Sequence, residues 1–228
     1  MARQPIANEA YIESGLAVWL DRQDLIPGAN TWNDRIQSLP FTILNFDSDN
    51  ISANGALFTG GSESKIYSQS VPITMSNGFT IEVRIHDFQP VGSSLARIIS
   101  TSLFNATYSP NLFYSNNWNG LSGFGADAGS ILKFSSGVLE TFTQSISLAL
   151  CEDASGNASV YKNGDLVASG TIQQATNAKI VCIGGWPRTS TPSERFSGLI
   201  KSLRVYSRVL SAEEMVQNYH TDIALFGG

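Results

Sequence analysis

The stretch Phe196–Ser211 reads FSGLIKSLRVYSRVLS and decides the fold. Its middle part, Leu199–Tyr206, is rich in apolar and β-prone residues, which predicts a strand. Ser211 then stands three residues before Glu214, the spacing of a capping box that starts a helix. We expect this helix to be short and to end near His220. It is supported by an apolar stripe of Met215, Val216 and Tyr219.

Upstream of this stretch, Val160–Val167 reads VYKNGDLV. Asn163 and Gly164 stand between two β-prone runs and predict a two-residue type I′ turn, because both turn positions need positive φ. Lys162 and Asp165 would then face each other across the turn as an opposite-charge pair. The segment therefore predicts a hairpin with a fixed register.

Strand patterns recur over most of the remaining chain. In Thr80–His86 apolar and polar residues alternate, and this period of two predicts a half-buried strand. Many short strands with one terminal helix indicate an all-β sandwich or jelly roll. The chain of 228 residues fits one large sandwich, and no linker divides it. The other strand-like segments are 16–20, 56–59, 97–104, 112–115, 131–134, 146–152 and 180–183.

Several motifs occur in the order typical of one group of sandwich domains. They are GLAVWLD (15–21), WND (32–34), LFTG (57–60), YKNG (161–164), IGG (183–185) and the stretch 196–211. Together they resemble the laminin G-like domains of the concanavalin A-like lectin and glucanase superfamily, in their bacterial and phage type. The resemblance implies a two-sheet antiparallel jelly-roll sandwich with one short C-terminal helix. We expect residues 15–228 to form this domain and residues 1–14 to form an N-terminal arm.

Two sites depart from the family pattern. Lys201 and Ser202 replace the acidic pair of the last strand, and Thr59 stands where the R-F-D-G motif has its acid. Roles that depend on those acids, including a cation contact, are therefore not carried over by the resemblance. The same fold hosts lectins, glycan-binding modules, hydrolases and spacers, so function must be argued from the site.

The charge pattern excludes some partners. The 14 Lys and Arg residues are scattered and the net charge is −5, so we expect no nucleic-acid partner. No apolar run reaches roughly 18 residues, so we expect no membrane insertion. Residues 1–13 lack the apolar core of a signal peptide. Cys151 and Cys182 lie in apolar strand-like runs and are interpreted as buried free thiols, and a disulfide stays open if their strands are neighbours.

The pattern of acids argues against an enzyme. The resemblance implies that a hydrolase of this superfamily would carry a strand of E-x-D-x-x-E type, which sets carboxylates on one face across the scissile bond. No such pattern occurs in the sequence. The candidate acids are spaced so that they fall on opposite faces of a strand, and we interpret them as solvated acids at strand ends. They are Glu82, Asp87, Glu152 and Asp153.

No other catalytic or metal-binding pattern is evident. Neither His86 nor His220 has a recognisable Ser or Cys partner motif, so we expect no triad, and we interpret His220 as a charge at the helix end. We therefore predict no catalytic residue, no resident metal and no cofactor. Calcium stays open as an alternative, since two clusters fit either calcium ligands or turn-forming residues. They are Asp47, Asp49 and Asn50, and Asp153 with Asn157.

Aromatic and amide side chains suggest glycan binding. A flat aromatic ring next to amide and hydroxyl groups suits a sugar, and two segments carry this combination. The candidate ligand-binding residues are Tyr114, Asn116, Asn117, Trp118, Trp186 and Arg188. The alternative is that Trp118 and Trp186 are packing or interface residues. Trp19 and Trp32 lie in the fold motifs, and we expect both in the core.

The sequence leaves the biological setting open between three hypotheses. The first is a non-catalytic protein of a phage virion surface, on a head, tail or fibre. Its partners would be other virion proteins or copies of itself, and it could also bind cell-surface glycans. The second is an extracellular carbohydrate-binding module. The third is a glycan hydrolase or lyase of the same fold.

Overall fold

A computed structural model describes most of the chain. The described residues are 10–59, 64–68, 74–88, 95–101, 111–118, 121–127, 131–133, 144–171, 181–185 and 196–227. They form two antiparallel sheets of eight strands each and one α-helix, α1 (Ala212–Phe226). The predicted all-β jelly-roll sandwich with a single C-terminal helix is confirmed.

The first sheet, called sheet A, contains the predicted closing strand and the predicted hairpin. One strand lies off the main order, because β1 (Leu16–Asp21) pairs with the closing strand β16 (Ser197–Tyr206). Across the sheet, the order is β14 (Asp165–Thr171), β13 (Asn157–Lys162), β12 (Ile146–Glu152), β7 (Phe79–His86), β16, β5 (Gly55–Thr59) and β4 (Ile51–Ser52).

The second sheet, called sheet B, packs against sheet A. Its order is β11 (Ile131–Lys133), β10 (Leu121–Asp127), β9 (Asn111–Trp118), β8 (Leu95–Thr101), β15 (Val181–Ile183), β6 (Lys65–Ser68), β3 (Pro40–Leu44) and β2 (Thr31–Asn33). Two short 3₁₀ helices, Arg22–Asp24 and Ser48–Asn50, follow β1 and precede β4.

The main hydrophobic core lies between the two sheets. The apolar positions of β7, Ile81, Val83 and Ile85, point into it, as their alternation predicts. Trp32 is fully buried there and its indole N–H donates to the backbone oxygen of Asp21 at 2.9 Å. The prediction that Trp32 is a core residue is therefore confirmed.

Helix α1 covers the outer face of sheet A. A second cluster of buried residues lies there, formed by Ala149, Cys151, Tyr206, Leu210 and Met215. The polar face of β7 is consequently buried as well, and Arg84 has no exposed surface. The prediction of a half-buried β7 is therefore wrong, because the sequence period could not show that a helix covers the second face.

The start of α1 agrees with the sequence and its end does not. The Ser211 side chain accepts from the Glu214 amide while the Glu214 side chain accepts from the Ser211 amide, which is the predicted capping box. The helix continues to Phe226, beyond the predicted end at His220. His220 therefore lies inside the helix, and its interpretation as a charge at the helix end is wrong.

The predicted hairpin is present with its predicted turn. Asn163 and Gly164 have φ of 56° and 82°, and Lys162 pairs with Asp165 in the register. The Asn163 side chain accepts from the Ser147 amide at 3.0 Å, so the turn is also anchored to β12. A Cβ at position 164 would lie 3.3 Å from the Tyr219 Cβ, which places the turn against α1.

The described end of the predicted N-terminal arm packs on the domain. Tyr11 is buried, and its hydroxyl donates to Asp222 of α1 at 2.7 Å. The amide of Ile12 donates to Asn218 at 2.9 Å. Residues 1–9 lie outside the described residues.

Two further sequence predictions concern Trp19 and the cysteines. Trp19 is only partly buried, with the Arg35 guanidinium over its ring at 4.6 Å, so its assignment to the core is wrong. It occupies the outer face of β1, because Val18 and Leu20 take the inward positions. Cys151 and Cys182 lie on β12 and β15 of different sheets, and both are free and buried, as expected.

The IGG motif is explained by a close approach at Gly184. Its φ is +79°, which L side chains rarely adopt. A Cβ at this position would also overlap the ring of Phe58 in the core. The neighbouring Gly185 lacks both constraints, since the nearest atom to its Cβ position is 3.8 Å away.

We predict that Gly184→Ala lowers the free energy of unfolding by about 2–6 kcal/mol, from backbone strain plus overpacking. Gly185→Ala is the matched control and should cost less than about 1 kcal/mol. Urea unfolding followed by tryptophan fluorescence measures both. Equal stabilities of the two variants would contradict the packing described for Gly184.

Candidate functional site

Four of the six predicted glycan-binding residues lie on one strand of sheet B. Tyr114, Asn116, Asn117 and Trp118 belong to β9, which pairs with β8 on one side and β10 on the other. β9 pairs irregularly with β10 at this end, since Trp118 pairs with Leu121 and Asn116 with Ser122. The four residues share the C-terminal half of β9, including its end.

The other two predicted residues, Trp186 and Arg188, lie outside the described residues. They follow β15, which is antiparallel to β8, while β8 is antiparallel to β9. Strands β15 and β9 therefore run in the same direction, but Ile183 at the end of β15 pairs with Ile99, which pairs with Leu112 near the start of β9. The end of β15 is therefore level with the N-terminal part of β9, and the structure does not place the two predicted segments together.

One calcium candidate is a turn whose oxygens are already used. Asp153 Oδ1 accepts from the amides of Ser155 and Asn157, and Oδ2 accepts from the Asn157 side chain. These hydrogen bonds, the Asn157 side chain first, lower the pKa of Asp153. The first cluster is also a local turn, since the Asn50 amide donates to the Asp47 backbone oxygen. In the described ranges, no three His, Cys, Asp or Glu residues are grouped as a metal site.

Sequence reasoning missed a buried charge network between sheet A and α1. Arg204 of β16 donates to both oxygens of Asp222 at 2.9 and 3.1 Å, and to Glu82 at 2.9 Å. All three side chains are buried. Asn218 adds a bond to Glu82 at 2.8 Å, and the Tyr11 ring lies 4.0 Å from the guanidinium carbon of Arg204. The last strand, the helix and the N-terminal segment therefore meet at one guanidinium.

The pKa values of the two acids in this network are shifted in opposite directions. Burial would raise the pKa of Asp222, but the Arg204 charge and its hydrogen bonds hold that pKa below its usual value. Burial raises the pKa of Glu82, and the opposing charge of Arg204 does not cancel this effect. Asp222 is therefore the principal counterion of Arg204, while Glu82 is the weaker partner.

These contacts correct the interpretation of the strand-end acids. Glu82 and Glu152 are buried rather than solvated, with 5% and 1% exposure. Asp87 is exposed, and it contacts the Nε2 atom of His86 at 3.3 Å. Within the described residues, Glu82 and Asp87 do not form an open carboxylate pair, because Glu82 is held under α1 by Arg204.

His86 has a serine partner that no sequence motif revealed. Its Nδ1 atom lies 3.1 Å from the Ser145 hydroxyl, which also accepts from the Lys201 ammonium at 2.9 Å. The prediction that no triad is present concerned sequence motifs, and this single contact does not test it. Burial and the neighbouring Lys201 charge lower the pKa of His86.

Comparison with known proteins defines the family. Residues 59–216 match a laminin G-type model described as the concanavalin A-like lectin/glucanases superfamily. The chain therefore belongs to this superfamily. No curated protein matches the sequence. In the described part of the chain, no helix has the length and apolarity needed to cross a bilayer.

Several solved structures share the fold at low sequence identity. A Trypanosoma rangeli sialidase in complex with sialic acid has a TM-score of 0.67 and 16% identity, over 93% of this chain and 34% of its own. The chain thus spans about a third of the sialidase. Domain 4 of a GH43 extracellular arabinanase from Geobacillus stearothermophilus, in complex with arabinotriose, has a TM-score of 0.62 and 18% identity, over 91% of this chain and 100% of its own. The botulinum neurotoxin serotype D binding domain has a TM-score of 0.62 and 15% identity, over 92% of this chain and 52% of its own.

We predict that Asp222→Asn lowers the free energy of unfolding by about 3–5 kcal/mol, because it leaves Arg204 buried without its principal counterion. Glu82→Gln removes the weaker partner and keeps the side-chain size, so it should cost only about 1–2 kcal/mol. Chemical unfolding at pH 7 measures both variants.

The contact between Arg204 and Asp222 also predicts a pH dependence of stability. The Asp222 carboxylate has a lowered folded pKa, so its contribution is present above the unfolded Asp value of about 4 and is lost as pH falls through the folded pKa. Acidification should therefore destabilise the parent more than Asp222→Asn in that range. Parallel stability curves for the two proteins below pH 4 would contradict the assignment of Asp222 as the counterion.

Proposed function

We propose that the protein is a non-catalytic glycan-binding module. The observation that carries the proposal is the likeness to the arabinanase domain, whose structure contains arabinotriose and whose full length aligns with this chain. A single domain of that kind and this chain have the same extent and architecture. Family membership supports the proposal, since the family description names lectins first.

The glycan site is proposed at the C-terminal end of β9, with the segment that follows β15 as its second part. Its residues are Tyr114, Asn116, Asn117 and Trp118 of β9, with Trp186 and Arg188 after β15. An aromatic face gives a large apolar contact for the C–H side of a sugar ring, and the amides and the guanidinium supply hydrogen bonds to its hydroxyls.

A non-catalytic role agrees with the chemistry of the described acids. Glycoside hydrolysis needs two carboxyl groups about 5–10 Å apart in an open site. Of the acids considered above, Glu82 is held by Arg204 and Asn218 beneath α1, and Asp153 is held in its turn. Hydrolase or lyase activity is the alternative proposal, and the sialidase likeness is the reason to test it.

The biological setting is proposed to be a virion surface, with an extracellular setting as the alternative. The opening motif GLAVWLD supports the first, because it resembles members encoded by phages. In that setting the partners are other virion proteins or copies of this chain, together with host glycans. Mass spectrometry of purified virus particles tests this proposal. A protein that is found in the culture medium but not in the particles favours the alternative.

We predict that Trp118→Ala and Trp186→Ala each weaken glycan binding by about 2 kcal/mol or more while leaving the melting temperature nearly unchanged. Trp19→Ala is the matched control, because Trp19 is a partly exposed tryptophan on the other sheet and should leave binding unchanged. A glycan array followed by calorimetric titration measures binding.

Two outcomes would contradict this assignment. If the tryptophans are packing residues, truncation costs about 3–5 kcal/mol of stability and binding falls only through unfolding. A parent protein that binds nothing on the array would remove the lectin proposal itself.

We predict no release of reducing ends from a broad panel of polysaccharides, because the candidate acids considered above do not form an open carboxylate pair. A coloured reducing-sugar assay over extended incubation measures this. Turnover by the parent that is lost in Glu82→Gln, a variant expected to fold, would overturn the non-catalytic proposal.

A further inference from the structure

Three cationic side chains converge where α1 ends over sheet A. Arg84 donates to the backbone oxygen of Gly227 at 2.9 Å, and Arg22 donates to that of Leu225 at 3.4 Å. The third is Lys201 of β16, at a register shift between Ile200 and Ser202 where β16 pairs with β7. A bulge of this kind re-aims a side chain. Ser202 pairs with Arg84 on one side and with Asp21, the residue before Arg22, on the other.

These cations have only neutral partners among the described residues. Lys201 is buried and donates to the Ser145 hydroxyl, and Arg84 is fully buried and also donates to the Ser147 hydroxyl. Arg22 donates to the Asn54 side chain as well. The Nε groups of both arginines are buried without any hydrogen-bond partner. The cluster therefore has donors that are buried and unused.

The charges also repel one another. Burial lowers the pKa of Lys201, and the positive charges of Arg22 and Arg84 lower it further. Asp87 opposes this effect on Lys201, but it is exposed and contacts His86. Asp222 acts on Arg84 in the same sense. Asp222 is already engaged by two bonds from Arg204. Burying several cations without a counterion is costly in free energy, and a bound anion relieves that cost.

We propose that Arg22, Arg84 and Lys201 form a binding site for an oxyanion carried by an acidic glycan, either the carboxylate of an acidic sugar or a sulfate ester. Guanidinium groups match the geometry of both anions, and Lys201 adds a point charge. The partly exposed His86 and Arg22 mark the side that is open to solvent. The site lies on sheet A and α1, so the anion contact is independent of the β9 site. Only its assignment to a glycan rests on the proposed function.

Lys201 makes this inference specific to the present chain. It stands where the resembling sequences carry an acid in the last strand. An acid at that position would neutralise the two arginines internally, whereas a lysine adds to their charge. This corner of the chain therefore carries an excess of positive charge that a bound anion can balance.

The test is calorimetric titration of the full chain with sodium sulfate, sodium glucuronate and glucose at constant ionic strength. Sulfate and glucuronate should bind, and glucose should not. Lys201→Gln should lower the affinity for both anions by about tenfold or more, because one charge-assisted contact is lost. Lys162→Gln is the matched control, because it removes the same charge at the hairpin turn and should leave both affinities unchanged.

Arg22→Gln provides a second variant, and it should weaken binding in the same direction. The titration is repeated on a chain extended by two residues after Gly228, so that the terminal carboxylate does not compete for the cluster. Binding of glucuronate alone assigns the site to carboxylates, and binding of sulfate alone assigns it to sulfate esters. No anion bound by either version, or equal affinities in Lys201→Gln and Lys162→Gln, would overturn the proposal. Loss of array binding in Trp118→Ala with intact anion binding keeps the two sites distinct.

Discussion

The buried contact between Arg204 and Asp222 fixes the relation of the last strand to the C-terminal helix, and much of the structure depends on it. Arg204 projects from the outer face of β16, so an uncompensated guanidinium there would prevent any element from covering sheet A. With Asp222 as its counterion, α1 can bury that face. The helix then holds Asn218 over Glu82 and supports the hairpin turn at Gly164.

The sequence predicts the parts of the fold that depend on local chemistry. The Asn163–Gly164 turn and the Ser211 capping box are set by backbone conformations and hydrogen bonds within a few residues, and both are present. The burial of Glu82 and Arg84 depends instead on a helix more than 120 residues away. The signal was present in α1, since Asn218 and Asp222 are four residues apart and share its face with Met215. The spacing of Asn218 and Asp222 can be interpreted only if it is known that β16, which faces the helix, carries Arg204.

The two candidate sites also differ in how much of each can be predicted from local sequence. The aromatic and amide residues of β9 were found from composition, because sugar contacts draw on few residue types. The parallel course of β9 and β15, with β8 between them, follows only from strand order. The cationic cluster could not be found from sequence, since Arg22, Arg84 and Lys201 belong to three segments. A bulge and the end of a helix bring these segments together. The two surfaces would let one sandwich contact a neutral sugar face and an acidic group separately.

The central claim is that the end of sheet B binds a glycan, and amide chemical-shift mapping tests it most directly. The isotope-labelled chain is titrated with the glycan that gives the strongest signal on an array of neutral and acidic oligosaccharides. The account predicts that the shifted amides concentrate in β9, in β10 and in the residues that follow β15, while those of α1 between Met215 and Asp222 stay in place. Shifts confined to α1 and the hairpin turn, or no bound glycan on the array, would contradict it.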